Sequence, residues 1–158
     1  MQVRRLGDEE RPWLEAHLTR AWGARHVVSR GRSQDAACLP AFVCVDGDDV
    51  IGVATFCISG GECELVTIDA LRERAGVGSA LLAAVAEEAT RQACRRVWLV
   101  TTNDNLTALR FYQRRGLRIV AVHPGAVDEA RSMKPSIPSV GEDGIPIHDE
   151  LELELPIG

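Results

Sequence analysis

The sequence contains no long apolar run. The longest at helical spacing, Ala80 to Ala86, is far shorter than the roughly 20 residues a membrane-spanning helix needs. Met1 to Leu6 has no apolar stretch of the kind a secretory leader carries, so neither a membrane partner nor export is expected. Cysteine pairing is missing too. Cys38, Cys44, Cys57, Cys63 and Cys94 are odd in number, form no C-x-x-C, and have no histidine at metal-ligand spacing. This argues against a disulfide framework and against a zinc site, so no metal is expected. Four of the thiols lie in apolar or β-like runs, where cysteine acts as a small buried hydrophobe. That usage suits a reducing cytoplasm. There is no excess of positive charge: 18 basic against 23 acidic residues leave a net charge of −5, with no global field for nucleic acid. Internal repeats and low-complexity tracts are also absent.

What remains is a chain of 158 residues, 46% hydrophobic, expected to form a single domain over 1–158. A domain of that length buries roughly 68–70% of its unfolded surface, enough for a core without staples. Arginine is dense locally at Arg25, Arg30 and Arg32 and again at Arg72 and Arg74, which leaves room for a small anion.

The patterning predicts a strand over Gln2 to Leu6 and an Asp8-capped helix from Glu9 to Trp22, with Pro12 in its first turn. Gly23 to Leu39 reads as a loop or a short irregular helix. Ala41 to Val45 and Val50 to Ile58 are strands joined by Asp46-Gly47-Asp48-Asp49, a hairpin signal. Glu62 to Asp69 is a third strand after Ser59-Gly60-Gly61. From Ala75 to Ala93 the pattern is helical: Val77, Leu81, Val85 and Ala89 face inward, and Glu87, Glu88, Arg91 and Gln92 outward. Arg96 to Thr102 is apolar on both faces and therefore central. Asn103-Asp104-Asn105 opens a helix that Gly116 ends, and Leu117 to Val122 follows as a strand. A helix near Val127 to Met133 and a crossing through Pro135, Pro138 and Pro146 lead to Glu150–Leu155, an alternating strand with one wet acidic face. Antiparallel strands feeding a βαβ unit describe a mixed α/β sheet with helices on both faces.

Two junctions carry chemistry. Glu73-Arg74-Ala75-Gly76-Val77-Gly78-Ser79 lies between a strand and a periodic helix. Its glycines allow a tight turn and close ligand approach, and the first-turn N–H groups with the helix dipole bind anionic oxygen. A Rossmann fingerprint would place a third glycine near Leu81, and a Walker loop would need Lys-Ser/Thr after Gly78. Neither is present. At the second junction, Asn105, Ala108 and Tyr112 share a helix face at i, i+3 and i+7. Asn105 can hydrogen-bond a ligand, Ala108 leaves room for a cofactor arm, and Tyr112 offers a phenol.

Val66-Thr67-Ile68, Arg74 through Leu82, Asn105 through Tyr112 and Gly116-Leu117 together resemble the GNAT family of N-acetyltransferases. The match is strong over about Glu62 to Val122. The tail, with Lys134-Pro135, Asp143 through Ile147 and Asp149 through Leu153, resembles a bacterial GNAT-like subgroup. The family pattern starts with Gln or Arg where this chain has Glu73, so Arg72 or Arg74 would take that place.

The resemblance implies a GNAT-type sheet, mostly antiparallel with a central splayed parallel pair. It further implies acetyl-CoA as co-substrate, with pantetheine along Val66, Thr67 and Ile68. The pyrophosphate would lie on Arg74, Ala75, Gly76, Val77, Gly78 and Ser79, and Asn105, Ala108 and Tyr112 would complete the cofactor site. Acetyl transfer to a primary amine of a small molecule would run by direct attack in a ternary complex. Glu64, with Glu62 second, would be the base, and Tyr112 the acid that protonates the leaving thiolate. Trp22, His26, Arg30 and Arg32 would meet the acceptor, the arginines suiting one with a carboxylate or phosphate. The family also allows a homodimer. The alternative is a non-catalytic acyl-CoA-binding or sensing module.

Overall fold

The short β runs and the two periodic helices form where their patterning puts them. The computed structural model describes residues 1–73 and 75–158, so Arg74 lies outside the described residues. The elements are β1 (Gln2–Arg5), α1 (Arg11–Trp22), β2 (His26–Ser29), β3 (Arg32–Asp35), β4 (Ala41–Asp46), β5 (Asp49–Ser59) and β6 (Glu62–Ala70), then α2 (Val77–Arg91), β7 (Arg96–Thr102), α3 (Leu106–Arg114), β8 (Arg118–His123), α4 (Ala126–Met133) and β9 (Glu150–Pro156). Seven strands form a mixed sheet in the order β1-β4-β5-β6-β7-β9-β8, mostly antiparallel, with β6 and β7 its parallel pair. The α/β class read from the sequence is the one observed. By contact density the chain divides into two units, one of Met1–His26, Asp35–Val97 and Pro156–Gly158, the other of Val27–Gln34 and Trp98–Leu155.

In the first unit β4, β5 and β6 are antiparallel neighbours, and the β5–β6 register runs Thr55↔Thr67 and then Phe56↔Leu65. Val66 is passed over, a bulge in β6 that switches which residues share a face. Counting pairs outward from the bulge puts Glu62, Glu64, Thr67 and Asp69 on one face, with Cys63, Leu65 and Ile68 on the other. The Thr55 and Thr67 hydroxyls meet at 2.7 Å on the first of these faces. On the opposite face α2 packs its row of Val77, Leu81, Val85 and Ala89, all buried. Gly52 is required there, because a Cβ would overlap Val77.

Two expectations in this unit are corrected. Asp8 does not cap α1. Asp8–Glu10 forms a single 3-10 turn, and the Glu10 carboxylate accepts from the Gly7 N–H at 2.8 Å while Arg4 donates to both its oxygens (2.7 and 3.1 Å). Glu88 does not face outward: it is buried and accepts from Gln92 (2.8 Å), Arg91 (2.8 Å) and Arg5 (2.6 Å). Those three donors hold its carboxyl down at about 2. Helical spacing alone reads it as outward, and Arg5 on β1 supplies a partner that lets it be buried. Of the cysteines, Cys44, Cys63 and Cys94 are buried, and burial pushes the Cys63 thiol up to about 12.

The second unit departs further from the sequence reading. Within Gly23 to Leu39 the chain forms a hairpin of β2 and β3 in place of a loop or irregular helix. Arg30 (φ 49°) and Gly31 (φ 74°) both occupy left-handed backbone, the requirement of a two-residue hairpin turn. An arginine in the first position hides that signal, since asparagine or glycine usually stands there. β9 is no wet edge. It lies between β7 and β8, Glu150 and Leu153 are buried, and Glu152 and Glu154 are half-buried. Its alternation is real, but the strand is interior and its acidic side is covered. The edge strand here is β8, with Ile119, Val120 and Val122 exposed.

Candidate functional site

The first unit supplies a strand, a bulge and a helix start in succession. Val66 sits at the β6 bulge, Thr67 is buried in its hydroxyl pair with Thr55, and Ile68 follows on the opposite face. Ala75 precedes Gly76, whose φ of 74° makes the left-handed turn into α2. Val77 opens the helix with its side chain in the core, and Gly78 and Ser79 complete the first turn. Backbone N–H groups at such a terminus, with the positive end of the helix dipole, are suited to anionic oxygen. Arg72 pairs with Asp46 on the β4–β5 hairpin, so its guanidinium is engaged there. The cofactor assignment of Arg74 lies outside the described residues.

Glu64 is a buried carboxylate two residues before the bulge. Glu62 differs. Arg96 at 3.1 Å and Arg95 at 2.8 Å hold its carboxyl below the usual carboxylate range, which weakens it as a proton acceptor. Further along the same face, Asp69 takes two donors on one oxygen: His17 Nε2 and Trp22 Nε1, each at 2.8 Å. Trp13 stacks on His17 with ring centroids 5.5 Å apart. Trp22, expected to meet the acceptor, thus has its indole N–H on Asp69, and His26 is exposed at the start of β2.

The second unit supplies the other junction. Asn105 caps α3, its Oδ1 accepting from the Ala108 N–H at 3.2 Å. Tyr112 is buried on the same helix face, with Phe111 edge-on to it. Gly116 (φ 92°) ends the helix, with the Leu117 N–H donating to the Tyr112 carbonyl at 3.1 Å. Arg30 has its main-chain N–H 3.3 Å and its guanidinium 3.6 Å from the buried Glu150 carboxylate. It is committed to holding the hairpin, and burial raises the Glu150 carboxyl. Arg32 is exposed on β3.

Sequence reasoning missed Asp69, Asp104 and Glu150. Asp69 and Glu150 have their partners far away in the chain, and Asp104 joins near Thr102 to distant Glu142, so no local spacing marks the pairing. Among the described residues no group of three or more His, Cys, Asp and Glu is placed to hold a metal. Likewise no described helix is long and apolar enough to cross a membrane.

The first unit thus holds a bulged strand and a glycine-entered helix, and the second a helix start capped by Asn105, within a mixed α/β fold. The model of the acetyltransferase (GNAT) family matches residues 5–117, and the chain belongs to that family of transferases. It is 46% identical to the Bacillus subtilis (strain 168) protein YdhI over 106 residues, covering 67% of this chain and 66% of YdhI, just under two thirds of that relative's length. It is 34% identical to YxbD of the same organism over 141 residues, 89% of each chain. Two solved structures share the fold. An IAA acetyltransferase from Bacillus cereus ATCC 14579 superposes with a TM-score of 0.74 at 20% identity, covering 99% of both chains. A Bacillus subtilis acetyltransferase in complex with CoA gives 0.69 at 18% identity, covering 99% of this chain and all of the other (100%).

Proposed function

We propose that the protein is an acetyl-CoA-dependent N-acetyltransferase that acetylates a primary amine of a small molecule by direct attack in a ternary complex. The observation that carries this reading is the β6 bulge. It leaves the main chain at Val66 outside the β5 ladder and keeps the buried Glu64 carboxylate two residues away. Val66, Thr67 and Ile68 would hold the pantetheine arm through their main chain, and the N–H groups of Ala75 to Ser79 would hold the pyrophosphate. When bound, the cofactor supplies the thioester; everything else is asked of this chain. The acceptor arrives as an ammonium with a pKa near that of lysine, about 10.4, so it must lose a proton before attack. Glu64 takes that proton, directly or through a water. Nitrogen then bonds to the acetyl carbon, and a main-chain N–H at the bulge stabilises the oxyanion. The C–S bond breaks as the Tyr112 phenol protonates the thiolate, and the surplus proton on the acylated nitrogen passes to the resulting phenolate, giving the neutral amide and restoring Tyr112.

Glu62, held by two arginines, is the weaker candidate base. The Arg30–Glu150 pairing engages one of the two arginines that favoured an anionic acceptor, so that preference now leans on Arg32. The test is thiol release from acetyl-CoA with a panel of amines. Release that depends on both is expected. Tight CoA binding without release under any amine would instead identify a binding or sensing module. A melting temperature raised by NAD and not by CoA would overturn the reading.

A further inference from the structure

In the second unit, residues 139–147 form a finger: Val140 bridges Pro146 antiparallel, the Gly141 N–H donates to the Ile145 carbonyl (2.9 Å), and the Ile147 N–H donates to the Ser139 carbonyl (3.0 Å). Arg131 on α4 pins its base by donating to the carbonyls of Ile137 (3.3 Å), Pro138 (2.6 Å) and Ile147 (2.7 Å). Its tip is fastened to the start of α3. The buried Asp104 carboxylate accepts from the Thr102 hydroxyl and from the Glu142 N–H (3.2 Å), and Thr107 donates to Glu142 (2.9 Å). Asn103 adds a second clasp, donating to the Pro146 carbonyl (2.9 Å) and accepting from the N–H groups of His148 and Asp149 (both 3.0 Å). Gly141 is where the fit is tightest: its φ of −117° lies outside the left-handed region, yet a Cβ there would overlap the Asp104 carboxylate.

Residues 102–105 also bond among themselves, Thr102 hydroxyl to Asp104 and Asn105 N–H to Thr102 carbonyl (3.1 Å), and the finger adds the Glu142 and Pro146 bonds to Asp104 and Asn103. The finger thus fixes part of their geometry. The last of them, Asn105, caps the helix on which the cofactor arm is proposed to lie. We infer that the 139–147 finger sets the affinity of the α3 start for acetyl-CoA, with Asn103 and Asp104 as positioning residues. This rests on the acetyl-CoA reading above.

Gly141→Ala tests it, because it pushes on Asp104 from the finger side and alters no residue of the cofactor site. CoA affinity is measured by calorimetry on the full chain. The expected result is a Kd raised about tenfold, the equivalent of about 1.4 kcal/mol and of one hydrogen bond lost at the α3 start. Asp104→Ala should weaken binding too, and adding Gly141→Ala to it should cost little more, because the overlapped group has gone. Thr107→Val, an exposed change that leaves the fold alone, should give a smaller rise in the same direction. Glu88→Gln, destabilised and placed in the other unit, should leave Kd unchanged; a rise equal to that of Gly141→Ala would assign the effect to general instability and overturn the inference. Parent-like Kd in Gly141→Ala, Asp104→Ala and Thr107→Val would also overturn it while leaving the acetyl-CoA reading standing. Failure of the parent protein to bind CoA would overturn both.

Discussion

The β6–α2 junction and the β7–α3 junction start helices by opposite means. At the first, Gly76 enters α2 in left-handed backbone with nothing among the described residues within 4 Å of where a side-chain carbon would stand. Backbone permissiveness is its whole requirement, and a glycine between a strand and an amphipathic run announces it. At the second, the turn is held by Asn103 and Asp104 through partners at positions 142 to 149. Nothing within ten residues of Asn105 foretells them. Both helix starts are legible in the sequence, at the glycine pair and at Asn105; the distant partners that hold the second turn are not.

The same division runs through the rest of the molecule. The β4–β5 hairpin, α2 and the Gly116 stop depend on local signals and stand where the sequence puts them. Glu88, Glu150 and the β2–β3 hairpin depend on Arg5, on Arg30 and on an unusual turn residue, and each defeated periodicity. The candidate site is mixed. Its glycines and Asn105 are local features, whereas the bulge at Val66 shows only when β5 is alongside to count against. No apolar–polar alternation could have revealed that Glu64 shares a face with Thr67 and Asp69.

The largest effect expected from breaking this comparison lies in the chemistry of the first region. Glu64→Gln keeps the side chain's shape and removes its proton affinity, so kcat should fall about 10²- to 10⁴-fold with CoA affinity retained. Raising the pH toward the acceptor's own pKa, about 10 for an alkylamine, should recover much of the loss, because the amine then deprotonates without help. Unchanged turnover at neutral pH would remove Glu64 from the mechanism.

Next is Glu88, which ties the far end of α2 to β1. Hydrogen bonds to a charged group contribute about 1.5–3 kcal/mol, and Glu88→Gln should lose roughly that much at pH 7. The folded carboxyl, near 2, lies below its ordinary 4.5. Its contribution is therefore complete above the ordinary value and is lost as pH falls from there toward 2. Denaturant curves for parent and variant should converge over that range. A constant gap would show that the charge is not the source.

Gly76→Ala probes the local junction as Gly141→Ala probes the tertiary one. At Gly76 the added carbon meets no described atom, so only backbone strain is introduced, costing about 1–2 kcal/mol. At Gly141 φ is −117°, so the cost there is collision. The two can be told apart by a partner deletion: Asp104→Ala should relieve Gly141→Ala and leave Gly76→Ala untouched. Relief of both would mean that the first junction is not local after all.

The smallest effect concerns how the two helices end. α3 stops on Gly116, with the Gly116 N–H donating to Gln113 and the Leu117 N–H to Tyr112; α2 makes the same pair of bonds, Ala93 to Thr90 and Cys94 to Ala89. In α2, however, the left-handed residue between them is an alanine, at φ 57°. Left-handed backbone costs a residue with a Cβ about 1–2 kcal/mol. Ala93→Gly removes that strain but loosens the unfolded chain by about 0.5–1 kcal/mol, so a net gain of about 0.5–1 kcal/mol is expected. The reciprocal Gly116→Ala should lose about as much as Ala93→Gly gains, because its site differs little except in the residue: the nearest atom to an added Cβ is Leu155 Cδ1 at 3.9 Å, an ordinary contact. Equal and opposite shifts in denaturation midpoint would show that both helix ends are governed by backbone conformation alone. A loss at Ala93→Gly would mean that the alanine methyl packs against something worth more than the strain it carries.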